Sequence, residues 1–216
     1  MASTVDPAGA LSARLRTGTR VGHDVTHGGG FLRALTAGVL PREAYTDLVA
    51  QYFFVYEALE SAAEAMAGDP VAGVFVFPEL RRLPTLVADL EALCGPGWAD
   101  GITALPATVA YCARLREVAF DSPMSFVAHH CTRHLGDLAD GGDISRAVAR
   151  VYGIGPAGCR FYAVEGVDPA AVGTRYRDLL DATAWQPAAE RYFLAEVSRA
   201  HRLTAAVLDG LRRRWS

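Results

Sequence analysis

The sequence predicts an all-α single domain. Three observations predict it. Apolar residues recur at the i, i+3, i+4, i+7 spacing of one helix face through most of the chain. Prolines stand where those patterns begin and glycines where they stop. Only Val71 to Phe77 reads like a strand, and Pro70 and Pro78 bound it, so a loop or short helical turn is expected there.

In chain order, the first helix is expected from near Ala8 to about Ala37, with Gly28, Gly29 and Gly30 as a weak point inside it. Pro41 to Ala67 comes next, with Tyr45, Leu48, Val49, Tyr52, Tyr56, Leu59, Ala63 and Met66 facing inward and Gly68 just past its end. Pro84 to Leu93 repeats the pattern with Leu86, Val87, Leu90 and Leu93, and Gly95 is its stop. Pro106 to Phe120 buries Val109, Cys112, Leu115 and Val118. Pro123 opens the longest helix, to about Tyr152, which contains Gly136, Gly141 and Gly142. Each internal glycine costs about 0.5–1 kcal/mol relative to alanine, so three on one element predict a kink or the close approach of something bulky. Two helices, Thr174 to Ala184 and Pro187 to Leu211, complete the domain. Residues 1–10 are expected to form a disordered tail and 11–216 the single domain, without repeat, low-complexity tract or linker.

Composition bounds the function. The chain has 216 residues, 51% of them hydrophobic and 21% charged, which suits one well-cored domain and argues against global disorder. A net charge of -3 gives no reason to expect nucleic acid as a partner. No run of apolar residues is long enough to span a bilayer, and the N-terminus lacks the basic-then-apolar order of a signal peptide, so a cytoplasmic protein is expected. Cys94, Cys112, Cys131 and Cys159 form no close pair and read as four buried, reduced thiols. All 21 basic residues are arginine, so any bound anion meets guanidinium forks, imidazole or backbone N–H in place of lysine.

Two stretches carry chemistry. Leu15-Arg-Thr-Gly-Thr-Arg-Val-Gly-His23 places Arg16, Arg20, His23 and His27 on one stripe of the first helix. An imidazole there is a candidate axial ligand for haem iron; His23 and His27, at i and i+4, are also a candidate pair for a non-haem metal. The second stretch, His129 to Gly142, carries Arg133 and Asp137 at i and i+4 beside Gly136. That pair reads either as a solvated ion pair or as a pocket in which the bare glycine backbone approaches a ligand.

Both stretches resemble the haem oxygenases. The resemblance rests on Arg16, His23 and Phe31, on Tyr56-Glu-Ala-Leu-Glu60, on Pro78-Glu-Leu-Arg81 running into Asp89-Leu90, on Gly136-Asp-Leu138, on Phe161-Tyr-Ala-Val-Glu-Gly166 and on Arg175-Tyr-Arg177. These pieces keep the family order over about residues 11 to 211. The resemblance implies haem b, both cofactor and substrate, held between the first helix and the kinked distal helix. His23 is then the axial ligand, Phe31 and Gly141 line the haem, and Arg16 and Arg177 hold the propionates. Asp137 orders water beside dioxygen, with Arg133 and Tyr56 in the same polar network and Gly136 giving the backbone close access to the ring. The implied activity is cleavage of haem to biliverdin, carbon monoxide and ferrous iron. Electrons come from an external donor such as a ferredoxin or reductase, since the chain shows no flavin or nicotinamide fingerprint. A monomer is the expected state.

The chain departs from the family pattern. His27 stands where a glutamate usually accepts the proximal imidazole N–H, and Asp140 where the first of two paired glycines is expected. Gly173 and Cys131 replace a usual basic residue and a usual tyrosine. A π-bulge in the distal helix would restore glycine to the ligand face. The departures at His27 and Asp140 keep two alternatives open: a haem-binding or transfer protein that does not turn over, and a non-haem metal oxygenase on the same scaffold.

Overall fold

The computed structural model describes residues 10–15, 30–162, 166–183 and 185–216. Residues 11–15 are helical, and eight further helices follow among the described residues. They are α1 (Gly30–Thr36), α2 (Arg42–Met66), α3 (Leu83–Cys94), α4 (Trp98–Gly101), α5 (Pro106–Val118), α6 (Pro123–Tyr152), α7 (Pro169–Ala182) and α8 (Pro187–Arg214). No strand occurs among them; Val71 to Phe77 contains only the 3-10 turn Gly73–Phe75.

The prolines act as expected. They sit in the first turn of α3, α5, α6, α7 and α8, where their missing N–H needs no partner. Ser122 caps α6 by accepting from the Ser125 N–H, and Asp168 caps α7 by accepting from the Ala170 N–H. Asp168 and Pro169 start α7 five residues before the Thr174 expected from apolar spacing. Gly153 ends α6 at φ 64°, a left-handed conformation that a side chain would strain.

α6 packs most extensively on α8, and also on α2, α7 and α5; α2 in turn packs on α3 and α5. Every inward residue expected on α2 is buried. On α5 the buried face is Thr108, Tyr111, Cys112 and Leu115, which leaves Val109 55% exposed, contrary to the expectation. Thr108 turns inward because its hydroxyl donates to the buried Gln51 side chain. Cys112, Cys131 and Cys159 are buried thiols, but Cys94, at the end of α3, is exposed.

One long-range brace positions the site. Glu60 of α2 accepts the N–H groups of Arg82 and Leu83, capping α3 from another helix. Asp89 of α3 accepts the N–H groups of Arg160 and Phe161, both at 2.8 Å, and Arg82 donates to the Phe161 carbonyl at 2.7 Å. The turn after α6 is thereby fixed, and the Phe161 ring packs 5.4 Å from Tyr52, tilted, and 5.4 Å from Tyr56, edge-on. Three of the family-like pieces of sequence, around Glu60, Asp89 and Phe161, are parts of this one brace.

Candidate functional site

α6 is an unbroken α-helix of 30 residues with no π turn. Its 3.6-residue period therefore places Thr132, Gly136, Asp140 and Ile144 on one stripe, and all four line a cavity of about 30 Å³. The helix does not slip at the glycines, so Asp140 and not Gly141 shares the face of Gly136. Gly141, expected against a bound ring, does not line the cavity. A Cβ there would lie 3.0 Å from the Tyr162 ring and 3.2 Å from its carbonyl oxygen, so the missing side chain admits Tyr162. At Gly136 a Cβ would meet nothing within 4 Å; the backbone is bare toward open space.

The cavity's polar wall is built around Asp137. Tyr56 of α2 donates to Asp137 Oδ2 at 2.5 Å and Arg133 donates to the same oxygen at 2.7 Å. Oδ1 receives no donor from the described residues. The pair expected from the i, i+4 spacing thus exists, but it is no solvated surface pair: Arg133 is 4% exposed and its guanidinium lies 4.4 Å from the centre of the Tyr52 ring. Burial, reinforced by Asp137, pushes the Tyr56 phenol well above its ordinary pKa, so it keeps its proton and stays a donor. Arg133 Nε and the Tyr162 hydroxyl are buried with no hydrogen-bond partner among the described residues. Buried polar atoms left open beside a cavity fit a hydrated pocket whose remaining partners are water and ligand.

The cavity therefore has a floor of bare helix backbone at Gly136, a polar side at Asp137 and Arg133, with Tyr56 holding Asp137 from behind, and an apolar side at Leu32 of α1 and Ile144. About 30 Å³ is room for little more than one water, so the set is a small polar, hydratable pocket beside bare helix backbone. The sequence singled out Tyr56, Arg133, Gly136 and Asp137, and the structure brings them together. It did not single out Tyr162, which arrives from the brace, or His201 and Thr204 of α8, which close the far side. Tyr52 was marked only as core; its place one turn before Tyr56 was the available signal.

The other expected residues stand apart. Phe31 is buried on α1. Arg177 is exposed on α7, where it donates to the Thr174 hydroxyl, and does not line the cavity. Arg16, His23 and His27 lie outside the described residues. Among the described residues no three His, Cys, Asp or Glu side chains are grouped to hold a metal ion, and no helix is long and apolar enough to cross a membrane.

A family model named heme oxygenase matches residues 9–209. Heme oxygenase 1 of Nostoc sp. is 32% identical over 176 residues, covering 81% of this chain and 74% of that protein. Heme oxygenase 1 of Rattus norvegicus is 30% identical over 206 residues, covering 93% of this chain and 71% of that one. Among solved structures, heme oxygenase-1 from Synechocystis sp. in complex with heme superposes with a TM-score of 0.89 at 28% identity, over 95% of this chain and 94% of that one. Heme oxygenase from Leptospira interrogans gives 0.86 at 27% identity, over 93% and 98%.

Proposed function

Since the chain belongs to the haem oxygenase family, we infer from that membership and from the site what it does: it is a haem oxygenase, an oxidoreductase that cleaves haem to biliverdin, carbon monoxide and ferrous iron. Haem is its substrate as well as its cofactor, dioxygen its co-substrate, and electrons come from a separate ferredoxin or reductase. The reading without turnover and the non-haem reading are both less well supported than this one.

Bound haem supplies the iron at which dioxygen reacts and the porphyrin carbon that is oxidised. The protein supplies position and hydrogen bonds. With haem bound, His23 would ligate the iron, Phe31 would contact the ring, and Arg16 and Arg177 would hold the two propionates, as the family resemblance implies. His27 can accept the His23 ring N–H only through one imidazole nitrogen, a weaker support than a carboxylate. Gly136 lets the distal helix approach the ring without a side chain between them.

Asp137 does the distal work. Its Oδ2 is held by Tyr56 and Arg133, which fixes the carboxylate plane. Its Oδ1 is then free to hold a water in the cavity and pass a proton through it to the reacting oxygen. Asp140, one turn from Gly136, lines the same cavity. The observation that carries this reading is the convergence of two donors on one oxygen of Asp137 beside a bare stretch of helix.

Haem titration followed by reduction in air tests it. The expected result is a one-to-one complex whose spectrum changes in His23→Ala, and a bilin product from the parent. A parent complex that never yields bilin under these conditions would overturn the catalytic reading and leave haem binding alone.

A further inference from the structure

A second cavity, of about 150 Å³, lies on the other side of the distal helix. Its walls are mainly apolar, from Ala63 of α2, Ala67 just past its end, and Val76 and Phe77 after the 3-10 turn; α6 contributes His130 and His134, and Arg81 also lines it, ion-paired to Glu60 and Glu64. Both imidazoles are buried, at 3% and 1% exposure, with ring centres 4.2 Å apart. Two histidines in an apolar cleft are chemically incongruous unless their nitrogens are used. Tyr176 sits 2.6 Å from His130 Nδ1. Burial holds the Tyr176 phenol well above its ordinary pKa, so it keeps its proton. The neutral His130 ring shares one nitrogen with Tyr176 and keeps the other. His134 has no hydrogen bond among the described residues, and its Nδ1 is buried without a partner. Burial holds both rings neutral, His130 with its pKa brought down to about 3.

A cavity of this size accommodates a single aromatic ring. The wall offers aromatic and aliphatic surface and two neutral imidazoles. A hydroxyl both accepts and donates, and so can answer either tautomer of the two rings. We propose that this cleft is a binding site for a small neutral aromatic alcohol, its ring against Ala63, Ala67, Val76 and Phe77 and its hydroxyl between His130 and His134. The His134 ring also meets the edge of Tyr56, 5.3 Å between centres, so an occupant sits directly behind the tyrosine that holds Asp137.

Phenol is the probe, titrated into the full chain with histidine ring carbons labelled for NMR. Saturable one-to-one binding at millimolar concentration or tighter is expected, with His130 and His134 moving most. Benzene should bind at least about tenfold more weakly, the loss of both neutral hydrogen bonds. His134→Phe keeps the ring contacts, removes one of the two, and should bring phenol partway down toward benzene. Ala63→Phe should fill the cleft and abolish binding; Ala67→Leu, on the exposed rim, does the same job at less risk to folding. The proposal is overturned if phenol does not saturate, if it binds Ala67→Leu as tightly as the parent, or if benzene binds as tightly as phenol.

Discussion

Two arginine–carboxylate centres meet α6, one at His129 and the other at Asp137, and they do different things. At Glu196, Arg114 donates to both carboxylate oxygens, at 2.9 and 2.8 Å, and His129 approaches Oε1 at 3.0 Å. Burial alone pushes the Glu196 carboxyl up, but His129 and Arg114 more than offset it and bring it down to about 2. At Asp137 both donors, Tyr56 and Arg133, end on one oxygen. The first centre uses all its acceptor capacity to join α5, α6 and α8. The second keeps capacity in reserve beside a cavity. A buried ion pair is a brace when both oxygens are used and a reactive site when one is kept back.

Removing each carboxylate should separate the two roles. Glu196→Ala leaves Arg114 and His129 without their partner and should cost about 3–5 kcal/mol in denaturant unfolding. Asp137→Ala should cost less than half as much, because water in the cavity can serve Arg133. Equal losses would mean that Asp137 is a second brace.

pH sharpens the contrast. For Glu196 the folded pKa lies below the unfolded value, so its stabilisation is present above about pH 4.5 and is lost as pH falls toward 2. Asp89 runs the other way. Burial raises its carboxyl to about 6, against the lowering effect of the Phe161 and Arg160 N–H groups. The folded state then holds its proton more tightly than the unfolded one, and stability falls as pH rises from about 4 to about 6, by about 2–3 kcal/mol. Asp89→Asn should remove that slope. If the slope persists in urea titrations at pH 4, 5 and 6, another group causes it.

The smallest effects test the glycines. Gly141→Ala drives a methyl into Tyr162 and should destabilise by about 1–2 kcal/mol. Gly136→Ala meets open space and should stabilise the haem-free chain by about 0.5–1 kcal/mol, the helix-propensity gain, while weakening haem binding. A gain in stability with haem affinity unchanged would remove Gly136 from the site.

Much of this was legible in the sequence. Most helix starts were, because proline chemistry is local, though Pro169 was passed over for Thr174 at α7; so was the Arg133–Asp137 pair, because i, i+4 spacing is fixed by the helix. The contact from Tyr56 to Asp137 spans 81 residues and rests on the family resemblance, not on spacing. Tyr162 was missed because its neighbour Phe161 is held by Asp89 of α3 and by Arg82 just before it, contacts no periodicity encodes. The identity of the glycine on the cavity face turned on whether α6 slips. The regular helix assigns that face to Asp140 and leaves Gly141 to Tyr162.

The account stands on Asp137 acting at the reaction and Glu196 acting only on the fold. A single-turnover comparison of haem-loaded parent, Asp137→Ala and Glu196→Ala chains, with biliverdin measured per folded, haem-bound molecule, tests this most directly. Asp137→Ala should keep haem affinity and lose about 100-fold or more of the biliverdin rate, the scale of a lost proton-transfer group, while Glu196→Ala keeps the parental rate. Parental biliverdin formation in Asp137→Ala would contradict the account.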